Sequence, residues 1–212
     1  GTGGIELNTF MKRLVFSMNL NDIKLLISSY IKRDSRLMFD RDINTIVRKI
    51  TPFIAFDRDP YLVLSPNGRM VWFLDGYTVS DRFPYSQNYG RINYIRNSVL
   101  VTVDAYSGSV NYYIKDKSDP IIKTYSKIFP KLFQEFSQLP PGLKEHIRYP
   151  RDIFAIQSDI YKTFHMSNPQ VFFNKEDLWA LPRESKSDTE SKSMSAYYIV
   201  SQVPGESKDS YN

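Results

Sequence analysis

Cysteine is absent from this sequence of 212 residues, and histidine occurs only twice, as His146 and His165. Without cysteine the chain forms no disulfide and no thiolate metal site, which also fits an oxidising compartment. Neither histidine belongs to a metal-binding motif, so we expect no cofactor. His146 is predicted to be a solvated surface residue. His165 is predicted to cap a helix end, where a cation meets the negative end of the helix dipole. The alternative is a zinc site built from both histidines and a carboxylate.

Long apolar runs are also missing, since no stretch approaches the ~20 residues that a membrane-spanning helix needs. The hydrophobic fraction of 42% and the charged fraction of 24% are those of a soluble globular protein. The 28 basic residues are interspersed with 23 acidic ones, so the net charge of +5 does not indicate a nucleic-acid partner. A basic balance suits proximity to anionic lipids or wall polymers equally well. Motifs for a phosphate loop, a nucleophile elbow or a dinucleotide site are absent.

Two β-hairpins are the clearest local patterns that the sequence does contain. The first turns at Ser65-Pro66-Asn67-Gly68, which has the composition of a type I turn followed by a bulge. The second covers residues 96–115 and reverses at a segment that ends in Gly108. Strand side chains alternate between the two faces of a sheet, so its first strand is expected to place its valines on one face. These are Val99, Val101 and Val103.

Helical periodicity occupies both ends of the chain. Residues 7–31 predict two helices with a break between them, and Asp119-Pro120 predicts the N-cap and first residue of another. Residues 183–193 are all polar and are predicted to form a mobile loop. Residues 196–200 are expected to add a strand to the sheet. The predicted fold class is α+β, with one soluble domain over residues 1–212. Its antiparallel hairpins form one sheet, and helices from the N- and C-terminal parts pack on that sheet.

Acidic residues at the hairpin ends are the candidates for chemistry. The weak catalytic candidates are Asp75, Asp81, Asp104 and His165. If the three carboxylates converged, a pair ~5–9 Å apart would suit glycan hydrolysis. Two Asp-Arg-Asp units, at residues 40–42 and 57–59, offer oxygens of the kind that Ca²⁺ prefers. Their central arginine repels a cation, so we favour helix capping and ion pairing for both units.

Aromatic residues make up 15% of the chain, and 15 of them are tyrosines. Several tyrosines stand beside proline or glycine, as in Pro60-Tyr61 and Tyr149-Pro150. A tyrosine ring packs in a core while its hydroxyl stays solvated or hydrogen-bonded, so we predict that most of them anchor loops to the core. A carbohydrate- or peptide-binding groove is the alternative interpretation.

Short motifs in a fixed order resemble those of a known family. They are Gly1-Thr-Gly-Gly4, Ser35-Arg36, Phe56-Asp57 with Asp59-Pro60, Asp75-Gly-Tyr77, Ser80-Asp81-Arg82, Asn93-Tyr-Ile-Arg-Asn-Ser-Val99, Val103-Asp-Ala-Tyr-Ser-Gly108, Asp119-Pro120, Lys127-Ile-Phe-Pro130, Arg148-Tyr-Pro150, His165-Met-Ser-Asn-Pro-Gln-Val171 and Asp177-Leu-Trp179. Together they resemble Uncharacterised Protein Family 0182, whose members are large bacterial membrane proteins. The similarity covers nearly the whole chain, with only residues 184–193 outside it.

The resemblance implies that this chain is a fragment, a soluble domain that follows several transmembrane helices and has no established activity. The full-length protein is then expected in the cell membrane, with this domain outside the cytoplasm. Our leading hypothesis is a non-enzymatic interaction domain whose partner is an envelope protein or polymer. One alternative is an envelope hydrolase or transferase that uses the hairpin-end carboxylates. Another is a domain that regulates its own membrane part. The helices of residues 7–31 either pack on the core or lie on the membrane surface.

Overall fold

A computed structural model describes residues 3–187, 190–201 and 210–211. Its helices are α1 (Phe10–Leu20), α2 (Lys24–Ile27), α3 (Ile43–Ile50), α4 (Pro120–Ile128), α5 (Pro141–Lys144), α6 (Arg151–Phe164) and α7 (Pro169–Asn174), with a short 3₁₀ helix at Phe136–Gln138. Its strands are β1 (Ile5–Glu6), β2 (Arg36–Leu37), β3 (Ala55–Phe56), β4 (Tyr61–Leu64), β5 (Met70–Ser80), β6 (Tyr94–Asp104), β7 (Val110–Ile114), β8 (Phe133–Glu135), β9 (Arg183–Ser187), β10 (Glu190–Ser193), β11 (Val200–Ser201) and β12 (Ser210–Tyr211). The α+β class predicted from the sequence is confirmed.

A six-stranded sheet organises the molecule, with strand order β3-β5-β6-β7-β8 and β4 paired beside β3 on the same edge of β5. Both predicted hairpins are present, as β4–β5 and β6–β7. Their turns place Gly68 and Gly108 at φ angles of 77° and 73°, which glycine adopts without steric cost. The hairpins meet because β5 and β6 pair along their length in antiparallel register.

Three details differ from the prediction. First, the sheet is mixed rather than purely antiparallel, because α4 carries the chain across and returns it as β8, parallel to β7. Second, residues 183–187 and 190–193 pair as the hairpin β9–β10, so a polar composition did not prevent strand pairing where a loop was expected. Third, the last strands, β11 and β12, pair with each other and do not join the large sheet.

The sheet is covered on both faces. We call one side the α4 face, since its core contains Val47 of α3 and Ile122 of α4. The valines predicted to share a face belong to this core, which includes Val99, Val101 and Val103. We call the other side the α5 face, which carries a second core below α5 and the segment before it. That core consists of Tyr61, Val63, Phe73, Leu100, Tyr113, Leu139 and Leu143.

Helix α4 begins as its sequence predicts. Asp119 is the N-cap, its carboxylate accepts a hydrogen bond from the backbone N–H of Ile121 over 3.0 Å, and Pro120 follows at the first helical position. The side chain of Asp119 is also fully buried, which the local pattern does not reveal. It accepts hydrogen bonds from Thr78 and Ser98, both over 2.5 Å, so the cap also ties α4 to the sheet.

The N-terminal helices pack on the rest of the chain along one side only. Ser17 is buried and Leu14 and Phe16 are partly buried, whereas Phe10 and Met18 are exposed. The preferred prediction of two core-packing helices is not met among the described residues, because neither sheet core includes a side chain of α1 or α2. Across the described residues, no helix combines the length and the apolar character required to cross a membrane.

Candidate functional site

The three hairpin carboxylates do not share one site. Asp75 lies opposite Leu100 in the middle of the β5–β6 pair, while Asp104 lies opposite Val71. Four residues separate positions 71 and 75, so these carboxylates are anchored ~13 Å apart along the strands. Asp81 follows the other end of β5, six residues beyond Asp75. A glycosidase-type pair built from these residues is therefore not formed.

Each of these carboxylates has its own cation. Asp75 accepts a hydrogen bond from Nζ of Lys115 over 2.8 Å, and Asp104 is bound by the guanidinium of Arg69 at 2.8 Å. Asp81 is exposed and lies 3.8 Å from Arg82. Asp104 also accepts backbone N–H groups of its own turn. Burial alone would raise the pKa of Asp104, but these bonds outweigh it and lower the pKa to about 2.

His165 stands at the end of α6, as predicted for a capping residue. Its ring stacks on Trp179 with 3.8 Å between ring centroids. Nδ1 lies 3.0 Å from the carbonyl oxygen of Tyr161, and Nε2 lies 3.4 Å from a carboxylate oxygen of Asp177. The contacts tie the end of α6 to the segment before β9. Within the described ranges, no group of three His, Asp or Glu side chains could hold a metal ion.

The second Asp-Arg-Asp unit, at residues 57–59, anchors the start of α6. The carboxylate of Asp57 accepts the backbone N–H of Asp152 over 2.9 Å, and the Tyr77 hydroxyl donates to it over 2.5 Å. Arg58 binds the side chain of Asp152 through two nitrogens, and this partner raises the pKa of Arg58. Helix capping and ion pairing, the roles favoured for this unit, are confirmed. The first unit behaves alike, since Asp42 caps α3.

A pair of buried carboxylates, Asp57 and Asp75, lies on the α5 face beside Tyr77. The backbone N–H of Asp57 donates to the carbonyl oxygen of Asp75 over 3.0 Å. Burial raises the pKa of Asp75, even though Lys115 opposes the shift. Raised carboxylate pKa values are common among catalytic acids. Asp75 is only 3% exposed, however, and Asp57 is equally buried, so a substrate atom has no path to either group in this arrangement.

An open groove lies along α6, next to the contacts by which residues 57–59 hold the start of this helix. One wall consists of α6 and of Tyr149, two residues before it, and the other consists of the two segments that flank the β9–β10 hairpin. Its volume is about 760 Å³. We call it the α6 groove. Its lining residues are Tyr149, Arg151, Phe154, Gln157, Ser158, Leu181, Pro182, Met194, Ser195, Ala196, Tyr197 and Tyr198.

The lining of the α6 groove is mostly apolar, and the hydroxyls of two of its three tyrosines donate hydrogen bonds within the protein. The Tyr149 hydroxyl donates to Oε1 of Gln157 over 2.5 Å, and the Tyr198 hydroxyl donates to the carbonyl oxygen of Tyr149 over 2.7 Å. The guanidinium of Arg148 lies over the Tyr198 ring at 5.2 Å. Burial, with nearby carboxylates such as Asp59, raises the pKa of Tyr198 to about 12. The groove therefore presents mainly ring faces and aliphatic groups to its contents, with Arg151, Ser158 and Ser195 as further polar side chains.

Charged pairs border the groove at the α6 N-terminus. The ion pair of Arg58 with Asp152 lies there, as does Arg151, whose guanidinium is 3.6 Å from Asp59. These pairs line a smaller adjoining hollow of about 390 Å³, which shares Phe154 with the α6 groove. The whole arrangement is an aromatic groove with a charge-balanced end.

Comparison with known proteins places this fold in a family. A model of an uncharacterised protein family, UPF0182, matches residues 1–212. The chain belongs to UPF0182. The family suggested by the ordered motifs is thus confirmed.

Curated UPF0182 proteins are similar along the whole chain. Those of Pelotomaculum thermopropionicum and Alkaliphilus metalliredigens are 49% and 48% identical over all of this chain, which covers 23% and 22% of their own lengths. A UPF0182 protein of Bradyrhizobium diazoefficiens is 49% identical over 98% of this chain, and the match covers 22% of that protein's length. The chain thus spans less than a quarter of the length of these relatives. No solved structure matches it.

Sequence reasoning missed the α6 groove of this UPF0182 chain. The sequence shows Tyr149 only as a tyrosine beside proline, and no sequence pattern distinguishes Phe154. The one available signal was the count of aromatic residues near the C-terminal helices. The role of Asp57 as a helix cap is predicted from its Asp-Arg-Asp unit. The helix that it caps is not, because the partner Asp152 is 95 residues away in the sequence.

Proposed function

We propose that this part of the UPF0182 chain is a non-enzymatic binding domain of a bacterial integral membrane protein, placed outside the cytoplasm. Its ligand is an extended apolar segment of an envelope protein, held in the α6 groove. The observation that carries the proposal is the groove itself, an open aromatic cleft of about 760 Å³ between a helix and two extended segments. Ligand sites are typically clefts of this size with mostly apolar linings.

The chemistry of the lining favours a polypeptide over a glycan. A sugar presents many hydroxyl groups, each of which needs a hydrogen-bond partner when it is desolvated. The hydroxyls of Tyr149 and Tyr198 already donate within the protein, and Gln157 already accepts one of them. Phe154, Leu181 and the other apolar side chains of the groove suit leucine, proline or aromatic side chains of a peptide instead.

One wall of the groove is formed by backbone that lies outside the helices and strands. Residues 194–199 run without helix or strand assignment between β10 and β11. The N–H of Met194 bonds to Pro182, which fixes the start of this wall next to the opposite segment. An extended peptide that lies along such a wall combines backbone hydrogen bonds with pockets for alternate side chains.

Binding is testable with a selected peptide. A random dodecapeptide library displayed on phage is selected against the 212-residue chain, and the affinity of a selected synthetic peptide is measured by fluorescence anisotropy. We expect an apolar consensus, and we expect Phe154→Ser to weaken binding about tenfold or more, since aromatic anchors dominate interfaces. Phe173→Ser is the matched control, because Phe173 is an exposed phenylalanine of α7 outside the groove.

Two results would overturn the groove as the binding site. In one, Phe173→Ser lowers the affinity for the peptide as much as Phe154→Ser does. In the other, no selected peptide binds the chain more tightly than about 1 mM, an affinity too weak for a dedicated site.

The location is tested in the full-length protein. A single cysteine replaces Tyr85, which is fully exposed, and this chain contributes no other thiol. With cysteines elsewhere in the protein replaced, a membrane-impermeant maleimide is applied to intact cells. Labelling before lysis is the expected result for a domain outside the cytoplasm. Labelling that needs lysis would place the domain inside and contradict this part of the proposal.

A further inference from the structure

An exposed apolar stripe runs along α1. Met11, Val15 and Met18 are spaced by four and three residues, so they lie on one face of the helix. Their exposed fractions are 64%, 57% and 75%. Side chains of this kind in such an arrangement mark an interaction surface rather than scattered surface residues.

The stripe cannot turn towards the protein, because the opposite side of α1 is already held. Phe16 packs on Phe39 with 5.4 Å between ring centroids. Arg13 donates to the carbonyl oxygens of Leu7 and Ile31 over 3.1 and 2.9 Å. Rotation of the helix about its axis would break all of these contacts. The outward face is thus a fixed feature of the fold.

A second set of exposed apolar side chains lies on α2 and the residues around it. Ile23 and Ile27 are one helical turn apart and are both about two-thirds or more exposed. Tyr30, three residues further on, is almost fully exposed. Helices α1 and α2 are adjacent in the chain and in contact. Both helices therefore expose large apolar side chains to solvent.

Positive charge accompanies this surface. Residues 10–35 contain five basic residues and two acidic ones, and α1 itself has two basic residues and no acidic one. Lys12 lies next to the stripe, and Lys24 opens α2 between Ile23 and Ile27. In a two-fold dimer this positively charged surface would pair with itself, which disfavours self-association through this face. Apolar side chains flanked by lysine suit an anionic lipid surface.

We propose that α1 and α2 form a docking face for an anionic bilayer surface. The helices lie parallel to the bilayer, with Met11, Val15 and Met18 in the boundary between headgroups and acyl chains. Lys12 and Lys24 lie at the level of the lipid phosphates. The docking face is separate from the α6 groove, so it stands whether or not the groove binds a peptide.

The test is vesicle co-sedimentation of the 212-residue chain. Vesicles of phosphatidylcholine alone are compared with vesicles that also contain phosphatidylglycerol. We expect binding to the anionic vesicles, weakened by salt. Val15→Asp and Met18→Asp, made separately, are each expected to lower the partition coefficient about tenfold, the effect of one apolar side chain that no longer buries. Ile128→Asp is the matched control, because Ile128 is as exposed as Val15 but lies on α4.

Other occupants of this face give distinct results. Failure of the chain to bind phosphatidylglycerol vesicles overturns the proposal and assigns the face to another protein segment. A dimer in solution that Val15→Asp dissociates assigns it to a second copy and also overturns the proposal. If Ile128→Asp and Val15→Asp lower the partition coefficient equally, the stripe does not contact the vesicles. Thermal unfolding of each variant checks that the fold is retained, and either stripe variant alone suffices for the comparison.

Discussion

Buried carboxylates lie on both faces of the six-stranded sheet, and Asp119 on the α4 face and Asp75 on the α5 face are held in opposite ways. On the α4 face, Asp119 accepts hydrogen bonds from the hydroxyls of Thr78, Ser98 and Tyr94 and from the backbone N–H of Ile121. Burial alone would raise the pKa of Asp119, but these four donors together lower it. No cation is needed to keep this carboxylate ionised.

Asp75 on the α5 face has the cation that Asp119 lacks, yet its pKa is raised. Burial is the largest cause, and the ion pair with Lys115 and a side-chain hydrogen bond from Asn97 do not compensate for it. The comparison teaches that the balance between desolvation and bonded partners sets the direction of the pKa shift. Four donors outweigh burial at Asp119, whereas Lys115 and Asn97 do not outweigh it at Asp75.

The largest expected effect comes from removing the cation on the α5 face. Lys115→Met leaves Asp75 buried without its ion pair, and we expect a loss of about 4 kcal/mol in the free energy of unfolding at neutral pH. The folded-state pKa of Asp75 is raised above its unfolded-state value. The free energy of unfolding therefore falls as the pH rises from the unfolded-state pKa to the folded-state pKa. The loss should therefore shrink on acidification, when Asp75 is protonated. Urea denaturation at several pH values measures it.

Two controls belong with this variant. Lys115→Met combined with Asp75→Asn should recover most of the stability, since no unpaired charge remains. Val101→Ala, in the aliphatic core of the α4 face, should cost about 2 kcal/mol at every pH, because it removes only buried methyl groups. A loss for Lys115→Met that does not change with pH would contradict the assignment of Asp75 as the destabilised group.

A smaller loss is expected on the α4 face. Asp119→Ala removes the N-cap of α4 and leaves Thr78, Ser98 and Tyr94 without their acceptor, so we expect about 3 kcal/mol at neutral pH. The folded-state pKa of Asp119 is lowered. Its contribution is present above the unfolded pKa of ~4 and disappears as the pH falls below it. The difference in free energy of unfolding between the wild type and Asp119→Ala should therefore become smaller in acid. A loss that grew in acid would show that the donors do not stabilise the ionised form.

The smallest effect distinguishes a partly buried ion pair, Asp104 with Arg69, from the exposed pair of Asp81 with Arg82. Asp104→Asn keeps an oxygen for the turn N–H groups but loses the charge beside Arg69, so we expect a loss of about 1 kcal/mol. Because the pKa of Asp104 is lowered to about 2, this difference should vanish as the pH falls from ~4 towards that value. Asp81→Asn is the control, since its exposed pair should contribute nothing measurable. Equal losses in the free energy of unfolding for Asp104→Asn and Asp81→Asn would contradict the expectation that the Asp104 ion pair contributes more.

Much of the sheet was predictable because its signals are local. The alternation of Val99, Val101 and Val103 and the turn at Gly68 depend on residues within a few positions of each other. Alternation fails at Ser98, however, because β5 and β6 change register between Gly76 and Tyr77. Ser98 is the extra residue of this bulge and reaches Asp119 on the α4 face. A bulge moves every later side chain to the opposite face, and the sequence carries no local mark of it.

The candidate site depended on contacts that no local pattern reports. Its walls come from α6 and from segments on either side of β9–β10, a hairpin whose polar strands resembled a loop. The proposed carboxylate cleft failed for a related reason. Residues 75, 81 and 104 all lie near hairpin ends in the sequence, but strand lengths spread them along the sheet.

By itself, the sequence determined the family, the α+β class, the two hairpins and the caps of α3 and α4, because each of these rests on neighbouring residues or on motif order. Only the tertiary structure decided that Asp57 caps α6, that Asp75 meets Lys115, and that the aromatic residues beside α6 line a groove. Those partners are 95 and 40 residues apart in the first two cases. Which distant side chains meet is set by strand register and helix placement, and these emerge only when the whole core packs.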